Sequence, residues 1–326
     1  MDPKQNFSKE ILIINDVEAS VNAICKKLQN DIHKKLRRNG GIIGISGGID
    51  SSVTLALTVR ALGPSKVRGF MLPEKDSSPD SLELAKMLAE KFDVKYETEN
   101  ISAALEGLNC YKRRDEAVKK VFPEYNPEKF KFKIGITPNL LNPNLPAVFQ
   151  ATIIDSLGEI KSKRLPLEEY LQIVAASNFK QRTRMSMLYY HAEKMHYAVI
   201  GTPNKHEVEQ GFFVKHGDGG ADVMPIAHLY KTQVYQIARY LDIPQEIIDR
   251  TPTTDTYSAE QTQEEFFFQL PFNQMDLLWY AFENNYSHNE VGEVLGMSEN
   301  EVKGIFNGFV RKIKTTDYLR MSAIKY

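Results

Sequence analysis

One stretch of this 326-residue chain carries the residue types of a phosphate site: Ser46, Gly47, Gly48, Ile49, Asp50, Ser51 and Ser52, followed by Val53. Two glycines let a backbone come close to an anion, and three serines offer hydroxyl donors. A tight turn also aims successive N–H groups at one point. No lysine follows the glycines, so this is not a Walker loop. Asp50 would repel a bare phosphate unless a divalent cation lay between them, which points to a nucleotide phosphate carried with Mg²⁺. The same residues would also suit a plain tight turn closed by an Asp/Ser helix cap, and locally both readings stand.

The elements around this turn decide where it sits. Val17, Val21, Ile24, Leu28, Ile32 and Leu36 recur at three- and four-residue intervals and predict an amphipathic helix ended by Asn39-Gly40. "GIIGIS" reads as a short, fully apolar strand, "DSSVTLALTVRALG" as a helix closed by Gly63, and "KVRGFMLP" as a second strand. "SPDSLELAKMLAEKF" is a helix with proline at its start, "VKYETEN" a third strand, and "HYAVIG" with "MPIAHLYKTQVYQIARYL" repeats the pattern. This alternation predicts an α/β fold: an open parallel twisted sheet with helices on both faces, Rossmann-like, with an inserted segment and C-terminal helices. The phosphate turn then falls at the carboxyl edge of the first strand, facing the positive end of a helix.

Residues 105–177 interrupt the alternation. They are rich in proline and asparagine, with "KFKFKI" as a candidate edge strand and "LPLEEYLQIVAASN" as a helix leading onward. We read them as an insertion in a single domain spanning residues 1–326, which ends in a helical extension over 272–326. A formal net charge of -1 argues against general nucleic-acid binding. The two cysteines, Cys25 and Cys110, have no metal-ligand spacing and suit a reducing compartment. No apolar signal core or membrane-length run is present, so a cytoplasmic protein is expected.

"SGGIDSS" resembles the SGG-x-D-S pyrophosphate loop of the N-type ATP pyrophosphatases, of the adenine nucleotide alpha hydrolase fold. "NFKQRTRMSMLYYHA", "VIGTPNKHEVEQGFFVKHGDGGADVMPI" and "YKTQVYQIARYLDIP" resemble, in that order, the core of the ammonia-dependent NAD synthetases. The resemblance spans roughly two-thirds of the chain. It implies ATP-dependent amidation of deamido-NAD: the carboxylate is adenylylated, pyrophosphate leaves, and ammonia attacks. It also implies Asp50 and Glu207 on Mg²⁺, Lys231 on the phosphates with Asp50 as the catalytic pair, and Thr202 and Thr253 along the ATP site with residues 46–53. Arg182, Lys215 and Asp222 are implied on deamido-NAD. Gly217, Gly219 and Gly220 would shape a loop able to close over the adenylate.

Individually, several of these residues have plainer uses. Arg182 and Arg184 suit a solvated helix face, and Glu207 suits a helix start. Two departures from the family pattern stand out. A His-Lys pair expected near the C-terminus is replaced around Thr315 and Thr316, with Lys314 or Arg320 as substitutes, and the 105–177 insertion replaces a short connection. Another carboxylate-bearing nucleotide therefore remains an alternative substrate. The tail "HNEVGEVLGMSENEVKGIFNGFVRKIKTT" also has the look of a helix-turn-helix, so a nucleotide-sensing DNA-binding regulator is the rival from another class. Glu290, Glu293, Glu299 and Glu301 would repel DNA phosphates. Five of the seven histidines, at 191, 196, 206, 216 and 228, are scattered and receive no catalytic or metal role, and "EEFFFQLPF" reads as core or dimer packing. The resemblance implies a homodimer. Free ammonia is the expected nitrogen donor, since no glutaminase nucleophile motif surrounds either cysteine; a separate glutaminase partner is compatible with this.

Overall fold

The computed structural model describes residues 5–136, 149–254 and 256–326. Asp16 caps the first helix, α1 (Val17–Asn30), by accepting from Ala19 N at 2.8 Å, and the helix runs on through a wider turn to Lys35. β1 (Gly41–Gly44) leads through the serine-glycine turn into α2 (Ile49–Leu62), whose left-handed exit at Gly63 turns the chain into β2 (Val67–Met71). Pro79 stands in the first turn of α3 (Pro79–Lys91), which returns to β3 (Lys95–Thr98). The sheet is completed by β7 (Ala198–Ile200). Its order is β3-β2-β1-β7, all parallel, with Ile42 opposite Arg68 on one side and Val199 on the other.

Two short helices follow, α4 (Ser102–Gly107) and α5 (Cys110–Val121), and then an antiparallel meander of β4 (Lys131–Ile136), β5 (Phe149–Ile154) and β6 (Ile160–Arg164). The last four residues of "KFKFKI" open the edge strand β4, with Phe132 and Ile134 turned into an apolar cluster, while Lys129 and Phe130 belong to the turn before it. The proline- and asparagine-rich residues 137–148 of the expected insertion lie outside the described residues. α6 (Leu167–Met195) is one helix of 29 residues. Its first half, through Tyr170, Ile173 and Val174, packs on the meander; its second half, through Met187, Leu188 and Ala192, packs under the parallel sheet.

After α6 come β7 (Ala198–Ile200), α7 (Lys205–Gln210), α8 (Lys231–Tyr240) and α9 (Gln245–Ile248). Strand periodicity sorts the core into two layers. Ile43 and Ile45 face α1, α2, α3 and α8, whereas Ile42, Phe70 and Val199 face α4, α5 and α6. A separate core around Trp279 holds α10 (Phe272–Glu283), α11 (His288–Leu295) and α12 (Glu299–Arg320) against the N-terminal Phe7 and Leu12. The helix pair that resembled a helix-turn-helix buries Val291, Val302, Ile305 and Phe309 in that core. No described helix is long and apolar enough to cross a membrane.

Candidate active site

The turn after β1 is built by its small residues. Gly47 has φ +73°, and a Cβ there would lie 2.5 Å from Ser81 O, so only glycine fits. Ser46 Oγ accepts from Gly48 N at 3.3 Å and lies 3.1 Å from Ser51 Oγ. Ser51 and Ser52 donate to Gly48 O at 3.0 and 2.8 Å, pinning the first turn of α2. Ser46, Gly48, Ile49, Asp50 and Ser51 line a cleft of about 510 Å³, whereas Gly47, Ser52 and Val53 do not line it. Gly47→Ala is expected to lower the melting temperature by several degrees and to raise KM for ATP at least tenfold. A thermal melt and an ATP titration check both.

Three charged groups meet at and just beneath the cleft floor: Asp50 and Glu207 line it, while Lys231 lies behind them and reaches the cleft only through Asp50. Lys231, the first residue of α8 and fully buried, places Nζ 2.5 Å from Asp50 Oδ2, and Asn204 Nδ2 donates to Asp50 Oδ1 at 3.3 Å. Glu207 stands at the third position of α7. Its Oε2 accepts from Asn204 N at 2.9 Å while Asn204 Oδ1 accepts from Glu207 N, a reciprocal cap. Glu207 thus makes the plain helix-start contact and also lines the cleft. Burial and the neighbouring Asp50 carboxylate push its carboxyl up to about 8. Burial alone would depress the Lys231 ammonium, but Asp50 and Glu207 outweigh it and raise the net pKa. Two carboxylates sharing one lysine leave the floor short of positive charge. That fits a Mg²⁺ ion, which takes one or two protein carboxylates and completes its shell with water and phosphate oxygens.

The walls sort the remaining sequence candidates. Thr202, after β7, and Thr253 both line the cleft. Arg182 does not: it is exposed on α6, with Nε 3.3 Å from Lys215 O. Lys215 Nζ donates to Tyr318 O and Met321 O, both at 2.8 Å, at the carboxyl end of α12. Asp222 accepts from Val199 N at 2.8 Å and Tyr189 OH at 3.2 Å, holding the edge of β7. These three stand outside the cleft of the single chain.

Five residues to which the sequence assigned no site role face inward instead. Arg184 donates to Leu72 O at 3.1 Å, and Arg250 to Ser81 Oγ at 2.8 Å. Asp218 lines the cleft while accepting from Val214 N at 2.7 Å, and burial pushes its carboxyl up to about 6. Phe267 lines it too, stacked on Phe212 at 4.5 Å, with Phe266 beside it. The "EEFFF" segment is a single wide turn over Glu264–Phe268, so Phe268 enters the core while Phe266 and Phe267 reach the cleft. Core packing accounts for only part of it.

A parallel sheet with this glycine-serine turn at its carboxyl edge defines a Rossmann-like fold of the adenine nucleotide alpha hydrolase type. Two solved structures share it: an NMN synthetase from Francisella tularensis (TM-score 0.65, 22% identity, 96% of this chain and 99% of that one) and an NH3-dependent NAD synthetase from Campylobacter jejuni (TM-score 0.61, 20% identity, 95% and 99%). The sequence matches the NAD synthase family over residues 20–126 and 144–320, and the chain belongs to that family. An NH(3)-dependent NAD(+) synthetase of Rhizobium meliloti (strain 1021) is 45% identical over 322 residues, covering 98% of this chain and 95% of the relative.

Proposed function

We propose that this protein catalyses the ATP-dependent amidation of deamido-NAD to NAD with free ammonia, releasing AMP and pyrophosphate. The observation that carries the reading is the Asp50–Lys231–Glu207 cluster beneath the turn after β1 in a chain of the NAD synthase family. Gly48 and the α2 N-terminus would receive the departing pyrophosphate, with Thr202 and Thr253 along the nucleotide. A carboxylate oxygen of deamido-NAD attacks the α-phosphorus of ATP, and the bond to the bridging oxygen breaks. Lys231 holds a positive charge where negative charge accumulates on the leaving group. Mg²⁺, held by Asp50 and Glu207, would neutralise the phosphates when bound.

Ammonia then attacks the acyl carbon and AMP departs. Asp218, an ionisable carboxylate of the cleft that accepts from the Val214 N–H and has the Arg184 guanidinium acting on it only at a distance, is the group suited to attract ammonium and accept its proton. Ionised above about 6, it loses that capacity as pH falls through this value. Asp218→Asn is therefore expected to keep ATP–pyrophosphate exchange within about threefold while NAD formation falls about a hundredfold. The acid limb near pH 6 in the wild-type NAD-formation profile disappears with it.

Arg182, Lys215 and Asp222, on the outer side of α6 and the loop beyond it, suit a dinucleotide shared across a homodimer interface; sedimentation of a fully active monomer would contradict this. The deciding experiment is pyrophosphate exchange over a panel of carboxylates, deamido-NAD and nicotinate mononucleotide included. Exchange with deamido-NAD followed by amidation from ammonium is the expected result. Exchange with a different acid alone would reassign the substrate, and activity with glutamine but not ammonium would reassign the nitrogen donor.

A further inference from the structure

A line of buried polar groups joins the C-terminal helix to the cleft floor from behind. Lys312 of α12 donates to Gln210 Oε1 at 3.2 Å and to Phe267 O at 3.1 Å. Lys312 can only donate to an amide oxygen, so Gln210 turns Oε1 to it and its Nε2 donates to His206 Nδ1 at 3.0 Å and to Met275 Sδ at 3.4 Å. His206 Nδ1 therefore accepts, and Nε2 carries the proton that is donated to Asp276 Oδ1 at 2.6 Å. Asp276 accepts also from Lys231 N at 3.3 Å and from Thr232 N at 2.7 Å, the first N–H groups of α8. His206, Gln210 and Asp276 are all fully buried.

The end of this line is the start of the helix that bears Lys231. Buried N–H groups at a helix start need an acceptor, and α8 obtains its acceptor from α10, more than forty residues further along the chain. The same carboxylate grips His206, the neighbour of Glu207 on α7. One buried anion, steadied by helix N–H groups and a charge-assisted hydrogen bond, therefore sets both helices that carry the cleft-floor charges. Lys312 orients the imidazole through Gln210 and holds the turn that brings Phe267 to the cleft.

We infer that Lys312, Gln210, His206 and Asp276 form a positioning relay through which the C-terminal helix sets Lys231 and Glu207. The inference rests on the reading of Lys231 and Glu207 as the phosphate-facing pair, and that reading is tested separately by Lys231→Met. None of the four relay residues lines the cleft, so their effect belongs in turnover and not in nucleotide affinity. Gln210→Met and Lys312→Met are each expected to lower kcat of pyrophosphate exchange about tenfold, with KM for ATP moved less than twofold. The double variant should be no slower than the slower single one, because the second break falls in a line already broken. In the unaltered protein, a nitrogen–proton correlation spectrum should place the His206 proton on Nε2; this stands even if a variant fails to fold. Unchanged kcat in folded single variants, losses that multiply to about a hundredfold in the double, or a proton on Nδ1 would each overturn the relay.

Discussion

Replacing Lys231 with methionine is expected to reduce ATP–pyrophosphate exchange about a thousandfold while leaving a folded protein. Methionine keeps the length and apolar stem of lysine and removes only the charge. Removal of one preorganised group that meets developing charge in a closed site costs about a hundred- to a thousandfold in rate. The upper end applies here because Lys231 is fully buried and is the cation on Asp50. The fold survives because Glu207, already pushed up by burial and by Asp50, relieves the extra negative charge by keeping its proton. Lys231→Arg should not rescue exchange, since the pocket closed around Nζ leaves no room for a planar fork. Exchange within tenfold of wild type in a folded Lys231→Met protein would remove Lys231 from the chemistry.

What the sequence could and could not disclose follows from the range of the interactions. The turn after β1 was readable because its geometry depends on neighbours within six residues: Ser46, Ser51 and Ser52 close it on Gly48. "KFKFKI" was readable because alternation is itself the strand signal. The choice between Arg182 and Arg184 was not. Two residues apart on a helix they point about 200° apart, and only the packing of α6 on the sheet turns Arg184 inward. The motif resemblance selects Arg182, which in the single chain lies outside the cleft. His206 looked like one scattered histidine among several because its partner, Asp276, is 70 residues away. The wall function of Phe266 and Phe267 was hidden for another reason. A wide turn redistributes consecutive phenylalanines between core and cleft in a way that a count of aromatics cannot anticipate.

Lys180→Met is expected to destabilise the protein by about 3–5 kcal/mol at neutral pH, the usual cost of breaking a buried ion pair on one side. Lys180 of α6 does not line the cleft and is almost wholly buried. Its Nζ lies 3.0 Å from Glu74 Oε1, 2.7 Å from Asp76 Oδ2 and 2.8 Å from Thr256 O. Arg114 of α5 adds a second cation to Asp76 and pairs with Asp115 at 2.9 Å, while Tyr111 donates to Glu74 at 2.8 Å. Four separate segments are thereby tied: the loop after β2, α5, α6 and the loop leading to Tyr257. Both loops also supply cleft walls, through Pro73, Ser77, Thr254 and Tyr257. Burial alone would raise the Asp76 pKa, but Lys180 and Arg114 outweigh it and hold the carboxyl below its ordinary value. A carboxyl depressed in the folded state adds stability above its unfolded pKa and loses it as pH falls through the folded one. Without Lys180 that depression shrinks, so the deficit against wild type should be largest at pH 7 and should narrow below about pH 4, where carboxylates take up protons. Denaturant titrations of both proteins at pH 7 and pH 4 measure it. The widened cleft walls should also raise KM for ATP more than they lower kcat, the reverse of the split expected for the α12 relay. A deficit that is small or does not change with pH would mean that the cluster merely fills space behind the cleft, with no electrostatic hold on its walls.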